Sequence, residues 1–174
     1  VPATGWVYLF DRDSSTRLWR YQSTDPYIGG VVSISSDGEY IVAGGEGDTV
    51  FLFDKDSNTP LWNYETNDEI TSVDISADGK YIVIGSQDNR IFLFDKGSAS
   101  PLWHYTASGD ILSVDISEDG EYIVASSDTP NQRVYLFNKD SNSPLWDYTA
   151  DCPIVSISAD GEYIAAGCDD NVYF

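Results

Sequence analysis

One dipeptide, Asp-Gly, recurs along this chain at a constant interval and thereby limits how the chain can fold. Its four copies are 41 residues apart and begin at Asp37, Asp78, Asp119 and Asp160. Four tryptophans repeat beside them in steps of 43, 41 and 43 residues, at Trp19, Trp62, Trp103 and Trp146. Tandem units of this length form repeat architectures, in which each unit buries its apolar surface against the next unit.

The residues within one unit predict four β-strands. Residues 70–76, "ITSVDIS", alternate in polarity and are rich in β-branched side chains, which is typical of a strand. Asp78-Gly79 then predicts a tight turn in which the glycine adopts a positive φ. The three further strands are expected at residues 81–86, 91–95 and 101–105. No segment has helical periodicity. A four-stranded unit of about 42 residues predicts an all-β chain of antiparallel β-propeller blades.

The same pattern divides the whole chain of 174 residues, which suits one domain. The predicted parts of the domain 1–174 are two strands at 6–21, blades at about 28–64, 70–105 and 111–148, and a partial blade at 154–174. The pattern begins and stops within a third strand, so we expect a segment of a larger ring. A four-bladed ring and a ring formed by self-association are the alternatives.

Charge excludes two classes of partner. The chain has 29 acidic and 9 basic residues, which gives a net charge of −20. Lysine and arginine form no cluster, so we predict no nucleic-acid partner, and an anionic membrane surface would repel the domain. No apolar run approaches the ~20 residues that cross a bilayer, so we predict no membrane insertion by this segment.

The repeats resemble two families of propeller proteins. Residues 75–89, "ISADGKYIVIGSQDN", are similar to WD repeats, and residues 52–64, "LFDKDSNTPLWNY", resemble quinoprotein-type (PQQ-like) repeats. Both resemblances imply a propeller fold. The chain lacks the Gly-His pair of WD repeats, and it also lacks the adjacent cysteines and the calcium-binding set of quinone-dependent dehydrogenases. We therefore expect no quinone and no other cofactor.

Catalytic residues are not predicted. The one histidine, His104, lies between Trp103 and Tyr105 and should face solvent on an outer strand. No nucleophile-and-base pair is recognisable, so we expect a chain that is not an enzyme. Two alternatives stay open. One is part of a propeller enzyme, a quinoprotein-type dehydrogenase or a hydrolase, whose active residues lie outside this segment. The other is an extracellular sensor domain.

Acidic turns are the nearest approach to a metal site. Asp54, Asp56 and Asn58 resemble the start of a calcium loop, but Thr59 stands where such a loop needs glycine. Turns in which a side chain bonds its own backbone explain the same residues, so we predict no metal.

Two aspartates lie in the middle of predicted innermost strands, at Asp74 and Asp115, where the other copies have serine. Innermost strands line the channel of a propeller. The serine replacements favour hydrogen bonds between blades over a cluster of channel carboxylates, because buried polar groups are normally paired.

Two cysteines, Cys152 and Cys168, fall nearly opposite one another on adjacent predicted strands. A disulfide and two free thiols are both compatible with this placement. A disulfide would indicate an oxidising compartment. Together with the acidic charge, it favours an extracellular or cell-surface location in a prokaryote.

Sequence variation among the copies points to a binding face. The loops after the second and fourth strands differ freely, and the blade topology brings both sets to one rim. Acidic residues and one tyrosine of these loops form the candidate set, namely Asp25, Tyr27, Glu46, Asp48, Glu65, Asp68, Glu69, Asp88, Asp110, Asp128, Asp151, Asp169 and Asp170. Such a surface suits a basic protein better than a small apolar ligand. The alternative is unconstrained drift. The predicted function is a non-catalytic scaffold for protein–protein interaction or surface assembly, whose partner is another protein or further copies of the chain.

Overall fold

The structure is a computed structural model that describes residues 5–23 and 28–168. These residues form sixteen β-strands, and no membrane-spanning helix occurs among them. The strands are β1 (Trp6–Phe10), β2 (Arg17–Gln22), β3 (Ile28–Ile34), β4 (Tyr40–Gly45), β5 (Thr49–Asp54), β6 (Trp62–Glu65), β7 (Ile70–Ile75), β8 (Tyr81–Ser86), β9 (Arg90–Asp95), β10 (Trp103–Thr106), β11 (Ile111–Ile116), β12 (Tyr122–Ser127), β13 (Arg133–Asn138), β14 (Trp146–Thr149), β15 (Ile154–Ile157) and β16 (Ile164–Gly167).

The strands form five antiparallel sheets, each of consecutive strands. The first sheet is β1–β2, the second is β3–β6, the third is β7–β10, the fourth is β11–β14 and the fifth is β15–β16. The second, third and fourth sheets each have four strands, as expected of propeller blades. The prediction of an all-β propeller built from four-stranded antiparallel blades is therefore confirmed.

The Asp-Gly turns join the two inner strands of each blade. Gly79 has a φ of 69°, a backbone conformation that glycine adopts without steric cost. The Ser76 hydroxyl donates to an Asp78 carboxylate oxygen at 2.9 Å, and it accepts a hydrogen bond from the Tyr81 amide at 3.0 Å. The same contacts recur at the other three turns. These local bonds explain why the Ser-x-Asp-Gly sequence is repeated.

The core consists of four hydrophobic clusters, and each cluster joins two consecutive sheets. Strand β9 shows why its sequence is apolar throughout. Phe92 and Phe94 face the second sheet, whereas Ile91 and Leu93 face the fourth, so both faces of the strand are buried. Within the described ranges no cluster joins the first sheet to the fifth. The blades therefore form an open series.

In three of the four outer strands, the repeated tryptophan binds the next sheet. The Trp62 ring lies 5.4 Å from the Phe94 ring, and its indole N–H donates to the Lys96 carbonyl oxygen at 2.9 Å. The equivalent indoles of Trp19 and Trp103 donate to Lys55 and Lys139 carbonyls, both at 2.7 Å. One aromatic side chain per blade thus combines ring packing with a directed hydrogen bond.

Candidate functional site

The loops that follow the second and fourth strands meet along one side of the blade series, which we call the loop rim. The Thr66 amide donates to the Asp48 carbonyl at 2.8 Å, the Gln87 amide to Glu69 at 2.9 Å, and the Asp128 amide to Asp110 at 2.9 Å. Each bond joins a loop after a second strand to a loop between a fourth strand and the first strand of the next blade. The opposite side, the turn rim, holds the Asp-Gly turns and the turns between third and fourth strands.

Exposed carboxylates are distributed along the loop rim. Three predicted site residues, Glu46, Asp48 and Asp68, are exposed, and so are Glu65 and Asp151. Glu69, Asp110 and Asp128 are half-buried on the same rim. Four further members of the predicted set, Asp25, Tyr27, Asp169 and Asp170, lie outside the described residues, so their part in the face stays a prediction.

Asp88 has a different position from its neighbours in the predicted set. Its side chain is 5% exposed, and its carboxylate accepts hydrogen bonds from the Asn67 amide at 3.3 Å and the Arg90 amide at 3.1 Å. Glu69 similarly accepts a hydrogen bond from the Gln87 side chain. These two acids shape their loops, and Asp88 presents little charge to a partner.

The basic residues are divided unequally between the rims. All four lysines, Lys55, Lys80, Lys96 and Lys139, belong to turns of the turn rim. Two of them form ion pairs there, Lys55 with Asp56 at 2.9 Å and Lys139 with Glu121 at 3.2 Å. On the loop rim, Arg90 and Arg133 pair with Asp88 and Asp147. Both rims therefore carry more acidic than basic groups, and on the described part of the loop rim two arginines stand against nine loop carboxylates.

Polar side chains connect the innermost strands of neighbouring sheets. The Ser33 hydroxyl on β3 donates to Asp74 on β7 at 2.8 Å, and the Ser156 hydroxyl on β15 donates to Asp115 on β11 at 2.7 Å. The Ile116 amide donates to Asp74 at 3.1 Å, and the Ile157 amide donates to Asp115 at 2.8 Å. The predicted hydrogen-bonding role of these aspartates between blades is thus seen in the structure.

The two aspartates also contact one another, which the sequence analysis did not anticipate. Burial raises the pKa of Asp74 to about 7, and the hydrogen bond with the Asp115 carboxyl adds to that rise, whereas the Ser33 hydroxyl opposes it. A second carboxyl group this close makes the ionised form of Asp74 less favourable. The signal was available in the sequence, because two aspartates 41 residues apart occupy the same place on neighbouring innermost strands.

The acidic turns between third and fourth strands are stabilised by hydrogen bonds within the turn and by one bond to the preceding sheet. Asp54 accepts a hydrogen bond from the Asp56 amide at 2.8 Å, and the Asn58 side chain donates to the Arg20 carbonyl at 3.0 Å. Asp11, Asp95 and Asn138 accept the equivalent bond in the other copies. Among the residues that the structure describes, no three His, Cys, Asp or Glu side chains are grouped to hold a metal ion.

The remaining candidates are a disulfide and a histidine. A disulfide joins Cys152, which precedes strand β15, to Cys168, which follows strand β16. His104 is exposed on β10, with its ring 6.0 Å from that of Phe92. Neither forms part of the loop rim's charged surface.

Comparison with known protein families gives a match to the family described as outer membrane protein assembly factor BamB. The family model matches residues 3–114 and again residues 69–174, which together include almost the whole chain. Overlapping matches of this kind are what tandem repeats produce. No relative among curated proteins matches the chain.

Proposed function

Because the chain belongs to the family of outer membrane protein assembly factor BamB, we propose that it is a non-catalytic propeller scaffold whose loop rim binds another protein. The observation that carries this proposal is the excess of acidic groups on the rim whose loops vary from blade to blade. A rigid frame with variable loops on one side is a common basis for specific binding.

The chemistry of the rim favours a basic partner. Glu46, Asp48 and Glu65 are exposed. Within the described part of the chain, their carboxylates form no hydrogen bond and no ion pair. A partner surface rich in lysine or arginine would complement the negative charge of these carboxylates, and the attraction would raise the association rate at low salt.

The non-catalytic part of the proposal has support from the innermost strands. Asp74 and Asp115 lie on the innermost strands β7 and β11, and both accept hydrogen bonds from neighbouring blades. Groups held in this way serve packing.

An extracellular or cell-surface location in a prokaryote is included in the proposal. The disulfide between Cys152 and Cys168 is stable in an oxidising compartment. The family description names a factor that assembles outer membrane proteins, and a role at the cell envelope agrees with it.

Binding of a labelled oligolysine peptide tests the loop rim. The variant Glu46→Gln, Asp48→Asn, Glu65→Gln, Asp110→Asn removes four negative charges from side chains without an assigned structural bond. We expect it to weaken binding by about tenfold at low salt, measured by fluorescence anisotropy, with a smaller loss at high salt.

The matched control removes the same charges from the turn rim, by Asp13→Asn, Asp56→Asn, Glu118→Gln and Glu162→Gln. It should bind nearly as tightly as the unmodified chain. Equal losses in the two variants would show that the peptide responds to net charge alone, and the loop-rim proposal would then be wrong.

A further inference from the structure

A polar depression of about 310 Å³ opens on the loop rim between the third and fourth sheets, and we call it the rim pocket. Tyr105 and Ser108 line it from the side of the third sheet, and Arg133, Tyr135 and Asp147 line it from the fourth. Both sheets have four strands, so the pocket lies between two complete blades. Its volume is at the lower end of the range for pockets that bind small molecules.

Three of the lining side chains project from one face of the fourth sheet. Arg133 and Tyr135 are two residues apart on β13, so they point to the same side of the sheet. Asp147 lies directly opposite Tyr135 on β14 and shares that side. The Tyr135 ring packs 5.3 Å from the Tyr105 ring of the third sheet, so this face is the one that is turned toward the pocket.

The hydroxyl of Tyr135 is the group that points to a ligand. This residue is 2% exposed, and the rings of Tyr105 and Phe137 pack against its own ring. Within the described ranges its hydroxyl forms no hydrogen bond. Phe51 and Phe92, which hold the same place in the second and third sheets, have no hydroxyl to satisfy. Buried hydroxyls are normally paired, so one that lines a pocket without a partner indicates a group that binds there.

An ion pair supplies further donors and acceptors at the pocket. The Arg133 guanidinium pairs with the Asp147 carboxylate, and about a third of each side chain is exposed. Because arginine has more N–H groups, and a carboxylate more lone pairs, than one ion pair uses, both can also bind a ligand. Burial raises the pKa of the Tyr105 hydroxyl, the nearby Tyr135 adds to the rise, and Arg133 opposes it. The Tyr105 hydroxyl is therefore protonated at neutral pH and can donate.

The corresponding place between the second and third sheets is filled by the chain itself. Asp88 accepts hydrogen bonds there from the Asn67 amide at 3.3 Å and the Asn67 side chain at 3.4 Å, and it pairs with Arg90 at 3.8 Å. Asn131 has the position of Asp88, two residues before the arginine, and Ser108 has that of Asn67. Both are exposed, and their side chains form no hydrogen bond in the part of the chain that the structure describes. The chain thus leaves open at one boundary a space that it fills at the other.

The chemistry of the lining favours a neutral ligand with several hydroxyl groups. The net charge of −20 repels an anion, and Asp147 already holds the one cationic group of the lining, Arg133. A cationic ligand would in turn be repelled by that guanidinium. Ligand hydroxyls both donate and accept hydrogen bonds, as do the tyrosine hydroxyls and the Asn131 amide group. A ligand of this kind can therefore satisfy every polar group that lines the pocket.

We infer that the rim pocket binds one sugar ring through its hydroxyl groups. One ligand hydroxyl donates to the Asp147 carboxylate and accepts from the Arg133 guanidinium. A second ligand hydroxyl accepts the proton of the Tyr135 hydroxyl, which completes the hydrogen bonding of that buried group. The side chains of Ser108 and Asn131 bind the exposed edge of the ring. This site is separate from the acidic surface proposed to bind a basic protein, so the inference goes beyond that function and does not rest on it.

Titration of the isotope-labelled chain with the methyl glycosides of glucose, galactose, mannose and N-acetylglucosamine, followed by NMR, tests the inference. We expect at least one of the four to bind with a Kd of roughly 1–10 mM. It should shift the amide signals of Ser108, Asn131 and Arg133. The Kd should be the same at low and high salt, because the ligand has no charge to be screened.

Two tyrosine variants make the test specific for the pocket. Tyr135→Phe removes the hydroxyl and keeps the ring, and we expect it to weaken binding of the glycoside by about five- to tenfold. Phenylalanine already holds this place in the second and third sheets, so the variant should fold, and amide signals away from the pocket check that it does. Tyr64→Phe is the matched control. Its ring packs 5.5 Å from Phe92 at the boundary that the chain fills itself, and it should bind like the unmodified chain.

Three outcomes would overturn the inference. The first is that none of the glycosides shifts the three amide signals at up to about 100 mM. The second is that Tyr135→Phe binds as tightly as the unmodified chain. The third is that methylguanidinium or acetate shifts the same signals at lower concentrations than any glycoside, which would assign the pocket to a charged side chain of a partner. None of these outcomes depends on oligolysine binding at the loop rim, so the two proposals fail separately.

Discussion

The boundary between the third and fourth sheets and the groove of about 700 Å³ between the fourth and fifth sheets are lined by the same residue types, but among the described residues only the boundary is filled. At the boundary, the Trp103 ring lies 5.5 Å from Phe137, and its indole donates to the Lys139 carbonyl. At the groove, Trp146 occupies the same place in its repeat and is 42% exposed. The comparison teaches that the surroundings of a repeated motif depend on the neighbouring sheet, so the same motif is packed in one place and exposed in another.

The largest expected difference is between the unfolding free energies lost at a packed tryptophan and at an exposed one. Trp62→Ala removes ring packing and the hydrogen bond to Lys96, so we expect the free energy of unfolding to fall by about 3 kcal/mol. Trp146→Ala should lower it by less than about 1 kcal/mol. Urea unfolding followed by far-UV circular dichroism, at a protein concentration too low for association, measures both values. Trp62→Phe, which keeps a ring beside Phe94, should lose about 1 kcal/mol. Equal losses at positions 62 and 146 would contradict the comparison.

The contact between Asp74 and Asp115, at the boundary between the third and fourth sheets, predicts that stability depends on pH. The pKa of Asp74 in the folded chain is about 7, above its ordinary value of 3.8. The stabilising contribution of this group is therefore complete below pH 3.8 and is lost as the pH rises through about 7. We expect the free energy of unfolding to fall by about 2–3 kcal/mol between pH 5 and pH 8 from this group.

Asp74→Asn should remove that part of the pH dependence, because an amide keeps the hydrogen-bonding shape without a titratable proton. Asp48→Asn, on the exposed loop rim, is the control and should leave the profile unchanged. Urea unfolding at a series of pH values measures all three chains. If the Asp74→Asn profile kept the slope of the unmodified chain, the raised pKa of Asp74 would be disproved as the source of the pH dependence.

The smallest expected difference concerns the glycines of the Asp-Gly turns. Gly38 and Gly79 have φ values of 74° and 69°, so alanine costs about 1–2 kcal/mol of backbone strain at either position. Gly79→Ala must also displace the Tyr40 ring, and we expect it to cost about 1–2 kcal/mol more than Gly38→Ala. Thermal unfolding of the two variants beside the unmodified chain gives the difference. No difference would mean that the tyrosine moves aside freely.

Much of the fold could be predicted from the sequence, because its determinants are local and repeated. The Asp-Gly turn needs glycine for its φ, and the continuous apolar residues of β9 indicate a strand buried on both sides. The hydrogen bonds of Asp74 and Asp115 between blades were also predictable, since serine replaces them in the other copies.

The parts that could not be predicted depend on side-chain direction across loops and sheets. Asp88 stands in an acidic, variable loop like its neighbours, but its carboxylate turns inward to the Asn67 and Arg90 amides. Spacing alone left a disulfide and two free thiols open for Cys152 and Cys168, because it fixes which strands are adjacent and leaves the sulfur positions open. The exposure of Trp146 required knowledge of what covers each sheet.

The sameness of the boundaries between blades has a consequence for how such a gene can change. Trp62 meets Phe94 as Trp19 meets Phe53, and the indole acceptor is a backbone carbonyl at all three boundaries that a tryptophan bridges. Duplication or deletion of one 41-residue unit would therefore join surfaces that already fit and would create no new kind of contact. Unequal recombination between copies can lengthen or shorten the array by whole blades, and each event adds or removes one set of variable loops.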